Sequence, residues 1–117
     1  MNVMIDHKLL SVTMSVGPQI ELEDLRSIAE AGYTDVVCNR PDAEHLDGAV
    51  SRMVARAAAD LGLRFHYLPI EPTQTPQTQS EALADILAQA NTRVFAYCRS
   101  GARAEKAYLL AKTSGAN

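Results

Sequence analysis

Cys98 and Arg103 bracket the segment CRSGAR, with Arg99, Ser100, Gly101 and Ala102 between them. An apolar run, VFAY, precedes the cysteine, and a helical pattern begins directly after Gly101. A loop that joins a buried strand to a helix N-terminus turns several backbone N–H groups inward. Together with the helix dipole they form a cradle for an anion. The same field stabilises a thiolate over a thiol, which makes Cys98 a candidate nucleophile. Arg103 carries a permanent planar charge that can grip an oxyanion through two parallel hydrogen bonds. Gly101 lets the backbone curl through positive φ. Ser100 can donate one further hydrogen bond, and Arg99, expected to face outward, can draw anions to the mouth. A structural cysteine beside a surface arginine is the simpler account of a lone thiol. It is the weaker account of Cys-x-x-Gly-x-Arg set between strand and helix signals.

These residues need a frame, and the chain alternates strand and helix patterns. Strands are predicted at 9–14 (LLSVTM), 34–39 (TDVVCN), 64–70 (RFHYLPI) and 93–97 (RVFAY). Helices are predicted at 18–32, 49–62 and 80–90, the last with Ser80 as N-cap, and in the segment after Gly101. Such alternation implies an α/β fold, a small parallel sheet of four strands with helices on both faces. Ligands of such sheets sit beyond the carboxyl ends of the strands. Three polar segments, 39–48, 70–78 and 98–103, are therefore expected to converge there.

A chain of 117 residues is one small domain, 1–117, with no repeat or linker. The net charge of −3 argues against a nucleic-acid partner. No apolar stretch approaches the roughly 20 residues of a membrane span, and the N-terminal MNVMIDHKLL does not read as a signal peptide. Two cysteines, Cys38 and Cys98, make neither a disulfide framework nor a zinc site. Reduced thiols in a cytoplasmic protein are the simplest reading. His7, His45 and His66 show no metal spacing, so neither a metal nor another cofactor is expected; His66, alternating within a strand, is expected to make a partly buried hydrogen bond.

CRSGAR (98–103), NRPD (39–42), YLPI (67–70) and VGPQI (16–20) together resemble the phosphatase-like domain of the beta-lactamase-hydrolase-like proteins, a family related to dual-specificity phosphatases. The resemblance runs from about Leu9 to Leu110. It implies a dual-specificity-phosphatase-like sheet with the cysteine loop as active site. Cys98 would attack phosphorus, loop amides and Arg103 would stabilise the equatorial oxygens, and a carboxylic acid would protonate the leaving oxygen. Glu71 lies roughly where such phosphatases carry their acid. Asp42, Glu44 and Asp47 occupy the other converging loop, with Asp42 the second candidate and solvated loop charges the plainer role for all of them.

The chain departs from the phosphatase pattern at three points. Phosphatases space the cysteine and arginine by one residue more, place His where Tyr97 stands, and place Ser or Thr where Ala104 stands. The short loop resembles that of rhodanese-type sulfurtransferases, which hold a cysteine persulfide and need no acid. Three functions stay open on the residues alone: a cysteine-dependent hydrolase of phosphomonoesters, a sulfurtransferase carrying a Cys98 persulfide, and a non-catalytic anion or redox sensor. The partner would be a small anionic substrate, a phosphate ester or sulfane sulfur, or a protein supplying a missing wall. Relatives fused to metallo-hydrolase domains fit the latter, as does the open, shallow pocket expected when only KTSGAN follows Ala111. Arg40 can add positive potential at the site or pin its own loop by hydrogen bonds to carbonyls, and the second reading is preferred. Cys38 is expected to be a small buried residue; a disulfide with Cys98 under oxidation is the alternative.

Overall fold

The computed structural model describes residues 5–45 and 50–113. Five strands form one sheet: β1 (Lys8–Ser11), β2 (Met14–Gly17), β3 (Asp35–Cys38), β4 (Arg64–Tyr67) and β5 (Val94–Tyr97). Their order is β1-β2-β5-β3-β4. Strands β2, β5, β3 and β4 run parallel, and β1 adds an antiparallel edge. The four-stranded parallel core is as the sequence predicts, and the fifth strand comes from a segment read as one run. Residues 9–14 do not continue straight. The Ser11 hydroxyl oxygen accepts the Thr13 N–H at 3.2 Å, a local bond of the kind that turns a chain, and Val12 sits 83% exposed at the hairpin tip.

Four helices cover the sheet: α1 (Asp24–Glu30), α2 (Ser51–Asp60), α3 (Gln77–Leu87) and α4 (Ala102–Ala111). Alternation along the central strands sends Val36, Cys38, Phe95 and Tyr97 to one face, where Leu25 and Ile28 of α1 and Val54 and Ala58 of α2 pack. Val37, Val94, Ala96 and Cys98 go to the other, against Leu83 of α3 and Ala104 and Tyr108 of α4. Strand β5 is wholly buried on both faces, as expected of the centre of a parallel sheet.

Two helix predictions require correction. The first helix begins at Asp24 rather than near residue 18, because 18–23 is held elsewhere. The Gln19 N–H donates to Arg99 O at 3.3 Å, and the Asp24 carboxylate accepts the Glu21 N–H at 2.7 Å. Ser80 does not cap α3. That helix starts directly after Pro76, and Ser80, fully buried inside it, donates its hydroxyl to Gln77 O at 2.8 Å.

Candidate active site

The parallel register aligns Gly17, Tyr97 and Cys38, so the chain leaves three adjacent strands at one level. Cys98 is the first residue beyond β5. Its N–H donates to Gly17 O at 3.3 Å, and its side chain is fully buried. The loop then curls back, and the Gly101 N–H donates to the Cys98 sulfur at 3.1 Å. The curl requires φ of +96° at Gly101, and a Cβ there would stand 3.3 Å from Gly17 backbone atoms. Glycine answers both demands. Gly17 is itself crowded: a Cβ on it would meet Asp6 O at 2.8 Å. The first-turn amides of α4, which begins at Ala102, have no intrahelical acceptors. The Ala102 N–H rests on the Ser100 hydroxyl at 3.3 Å.

Arg103 draws the three polar segments together. Its Nη1 donates to Glu44 Oε2 and to Ile70 O, both at 2.7 Å, and its Nη2 donates to Glu44 Oε1 at 2.9 Å. Glu44 from the segment after β3 and Ile70 from the segment after β4 therefore meet the cysteine loop at one guanidinium. The Cys98 sulfur is a further neighbour of that group, and with Glu44 first it holds the arginine's charge in place. The Arg103 guanidinium likewise keeps the Glu44 carboxyl below its ordinary value of 4.5. Glu44 is thus a partner of Arg103, beyond the solvated charge its composition implied. Spacing alone could not pair residues so far apart in the chain.

The remaining residues take distinct places. Arg40 donates through Nη2 to Glu44 O at 3.3 Å and through Nη1 to Gln19 Oε1 at 3.1 Å, so it pins its loop as expected. Asp42 accepts both the N–H and the hydroxyl of Ser51, at 2.8 and 2.6 Å, and so caps α2. Glu71 follows Ile70 and is exposed; its N–H donates to Gln74 Oε1 at 2.9 Å. Ser100 and Ala102 are exposed beside a cavity of about 400 Å³ lined also by His7, Lys8, Gly17 and Glu105. Arg99 is exposed, as expected. Asp47 lies outside the described residues. His66 donates through Nε2–H to the Asp35 carboxylate at 2.7 Å, which is the partly buried hydrogen bond expected of it. Among the described residues no cluster of His, Cys, Asp or Glu could hold a metal ion, and no helix is long and apolar enough to cross a membrane.

Cys38 and Tyr97 pack into the layer opposite Cys98. Burial pushes the Cys38 thiol up, and the thiol donates to Arg40 O at 3.3 Å. Its role is that of a small buried residue. Both cysteines are free, and their opposed directions are wrong for a disulfide without backbone movement. Tyr97 is also fully buried, and burial beside Cys38 raises its phenol well above the ordinary tyrosine value. It does not face the loop, so it is no substitute for a histidine acting there.

The sheet with its Cys98–Arg103 loop at a helix N-terminus has the architecture of a phosphatase-like domain. The chain belongs to the family described as beta-lactamase hydrolase-like protein, phosphatase-like domain, whose model matches residues 6–115. Beta-lactamase hydrolase-like proteins of Agrobacterium fabrum and Xylella fastidiosa are 25% and 24% identical to it over 97 and 99 residues. Those matches cover 83% and 85% of this chain but only 22% and 23% of the relatives, so the chain spans about a fifth of their length. Among solved structures, a "putative phosphatase" of Neisseria meningitidis superposes with a TM-score of 0.76 at 27% identity, covering 86% of this chain and 71% of that one. One from Shewanella putrefaciens gives 0.77 at 18%, covering 95% and 73%. Kinase associated phosphatase, with serine replacing its catalytic-site cysteine, gives 0.65 at 15%, covering 97% and 78%. The last two speak to fold alone.

Proposed function

We propose that the chain is a cysteine-dependent phosphatase acting on phosphomonoesters. The observation that carries this reading is the Gly101 N–H on the Cys98 sulfur at a helix N-terminus, with the Arg103 guanidinium of the same loop fixed by Glu44 and Ile70. Cys98, as thiolate, attacks phosphorus. The S–P bond forms as the P–O bond to the leaving group breaks, and Glu71 gives the departing oxygen its proton. Water, losing a proton to the Glu71 carboxylate, then attacks phosphorus and cleaves the S–P bond, releasing inorganic phosphate and regenerating both the thiolate and the protonated acid. Loop amides and Arg103 hold the three equatorial oxygens, over which the charge of the transferring group is spread in the transition state. Glu71 takes the acid role because it is exposed next to Ile70, whose carbonyl touches Arg103, whereas both oxygens of Asp42 are engaged by Ser51. Cys98 is wholly covered, so phosphorus reaches it only after the covering groups shift.

The test is a paired assay on the purified chain and on Cys98→Ser. One arm offers p-nitrophenyl phosphate; the other offers thiosulfate with cyanide. Phosphate release that Cys98→Ser abolishes is the expected result. Thiocyanate formation without phosphate release overturns it in favour of sulfur transfer. Neither product, with the protein folded, overturns it in favour of an anion or redox sensor.

A further inference from the structure

We propose that Glu44 is a positioning residue: it grips the Arg103 guanidinium by its outer fork so that the inner Nε–Nη2 edge meets an anion seated over Cys98. This rests on the phosphatase reading of the same site. An arginine has five N–H donors in a rigid fork. Glu44 takes one from each terminal nitrogen, and Ile70 O takes the second from Nη1. Two donors remain, on Nε and on Nη2. They lie along one edge and are spaced to suit two oxygens of one phosphoryl group. The arginine stands two residues after Gly101, whose N–H meets the Cys98 sulfur at 3.1 Å, and that sulfur is among the groups that hold the arginine's charge.

Glu44 is held in turn. Residues 42–44 form a tight 3-10 turn closed by Glu44 N–H to Pro41 O and His45 N–H to Asp42 O, each at 3.0 Å. The Arg40 Nε lies 3.5 Å from Glu44 Oε1, and Arg40 Nη2 reaches the Glu44 carbonyl. Arg40 Nη1 is received by Gln19, whose own N–H bonds Arg99 O inside the cysteine loop. With the chain running from Arg99 to Arg103, the contacts close a ring: Arg99, Gln19, Arg40, Glu44, Arg103. Two guanidinium groups share one carboxylate, so the ring keeps a surplus positive charge for a dianionic ligand. The side chains of Arg40, Glu44 and Arg103 are only 14%, 21% and 15% exposed, which limits screening by water.

The experiment compares wild type with Glu44→Gln and Glu44→Asp, with circular dichroism to confirm folding. The Arg103 Nε–H signal in a ¹H–¹⁵N spectrum is assigned by its loss in Arg103→Lys. Inorganic phosphate is titrated, and p-nitrophenyl phosphate kinetics are measured. The wild type should show a slowly exchanging Nε–H signal that Glu44→Gln loses. That variant should bind phosphate about tenfold more weakly and lose about 10- to 100-fold in kcat with a smaller change in KM. Glu44→Asp, which keeps the charge, should fall between. If Glu44→Gln does not fold, Glu44→Asp decides alone. An unchanged signal, unchanged kcat, or faster hydrolysis in Glu44→Gln overturns the proposal; faster hydrolysis would mean that the carboxylate blocks the arginine. If wild type hydrolyses nothing, the phosphatase reading falls, and the signal and phosphate titration still judge Glu44.

Discussion

Arg103 and Gly101 set the demands at the scale of single residues. The guanidinium makes three hydrogen bonds to Glu44 and Ile70, so its plane is fixed before any ligand arrives. A lysine there keeps a charge and loses the fork. Arg103→Lys is therefore expected to lower kcat/KM for p-nitrophenyl phosphate by about 100-fold or more while folding normally, since an oriented donor to a developing oxyanion contributes about that much. Gly101 stands at φ +96° with Gly17 backbone 3.3 Å from where a Cβ would be. Gly101→Ala should cost about 1–2 kcal/mol in urea denaturation and should also abolish hydrolysis, because the amide that meets the sulfur moves. A variant as stable and active as wild type would show that the curl is dispensable.

Among the elements, α2 and α4 both use their N-termini, in different ways. The start of α2 is satisfied by a side chain from outside it: Asp42 receives the Ser51 N–H and hydroxyl. Asp42→Ala should lower stability by about 1 kcal/mol, the ordinary value of a lost cap, with hydrolysis per folded molecule little changed. A collapse of kcat at unchanged stability would instead make Asp42 the acid. The start of α4 is capped by Gly101, which offers no side-chain acceptor; the Ala102 N–H rests on the Ser100 hydroxyl, and the next first-turn amides have no intrahelical acceptor. Glu71→Gln, on the loop after β4, should lower kcat by about 100-fold or more for alkyl phosphates. The loss should be smaller for p-nitrophenyl phosphate, whose leaving group needs less help.

Across the whole molecule, two buried or half-buried carboxylates link stability to pH from opposite ends of the sheet. Burial pushes Asp35 up, but hydrogen bonds from Arg64, Thr34 and His66 outweigh it and set the group below its ordinary 3.8. Glu44 is set below 4.5 by Arg103. A carboxyl depressed in the folded state stabilises fully above its unfolded value, and that contribution is lost as pH falls through the folded one. Thermal melts should therefore be flat in these groups above about pH 5 and fall steeply from there towards pH 2. Asp35→Asn should start from a lower Tm at neutral pH and show a shallower fall. A parallel fall in both proteins would remove Asp35 from the account.

How much was legible in advance follows from which interactions are local. Strand-helix alternation, the buried pattern of β5 and the Cys98–Arg103 spacing are short-range signals, and they were enough for the α/β sheet and for placing Cys98 and Arg103 where β5 passes into α4, at the carboxyl end of its strands. The hairpin at Ser11–Met14, the late start of α1 and the burial of Ser80 inside α3 depend on a turn hydroxyl, on contacts with the cysteine loop and on Pro76, none of which periodicity records. Apolar alternation fixes which face a strand residue takes only when the register with its neighbour is known, so the separation of Cys38 and Tyr97 from Cys98 was settled by packing. The partnership of Glu44 with Arg103 was settled the same way: a carboxylate's role depends on what stands within about 3 Å of it, and chain folding alone brings residues 44 and 103 together.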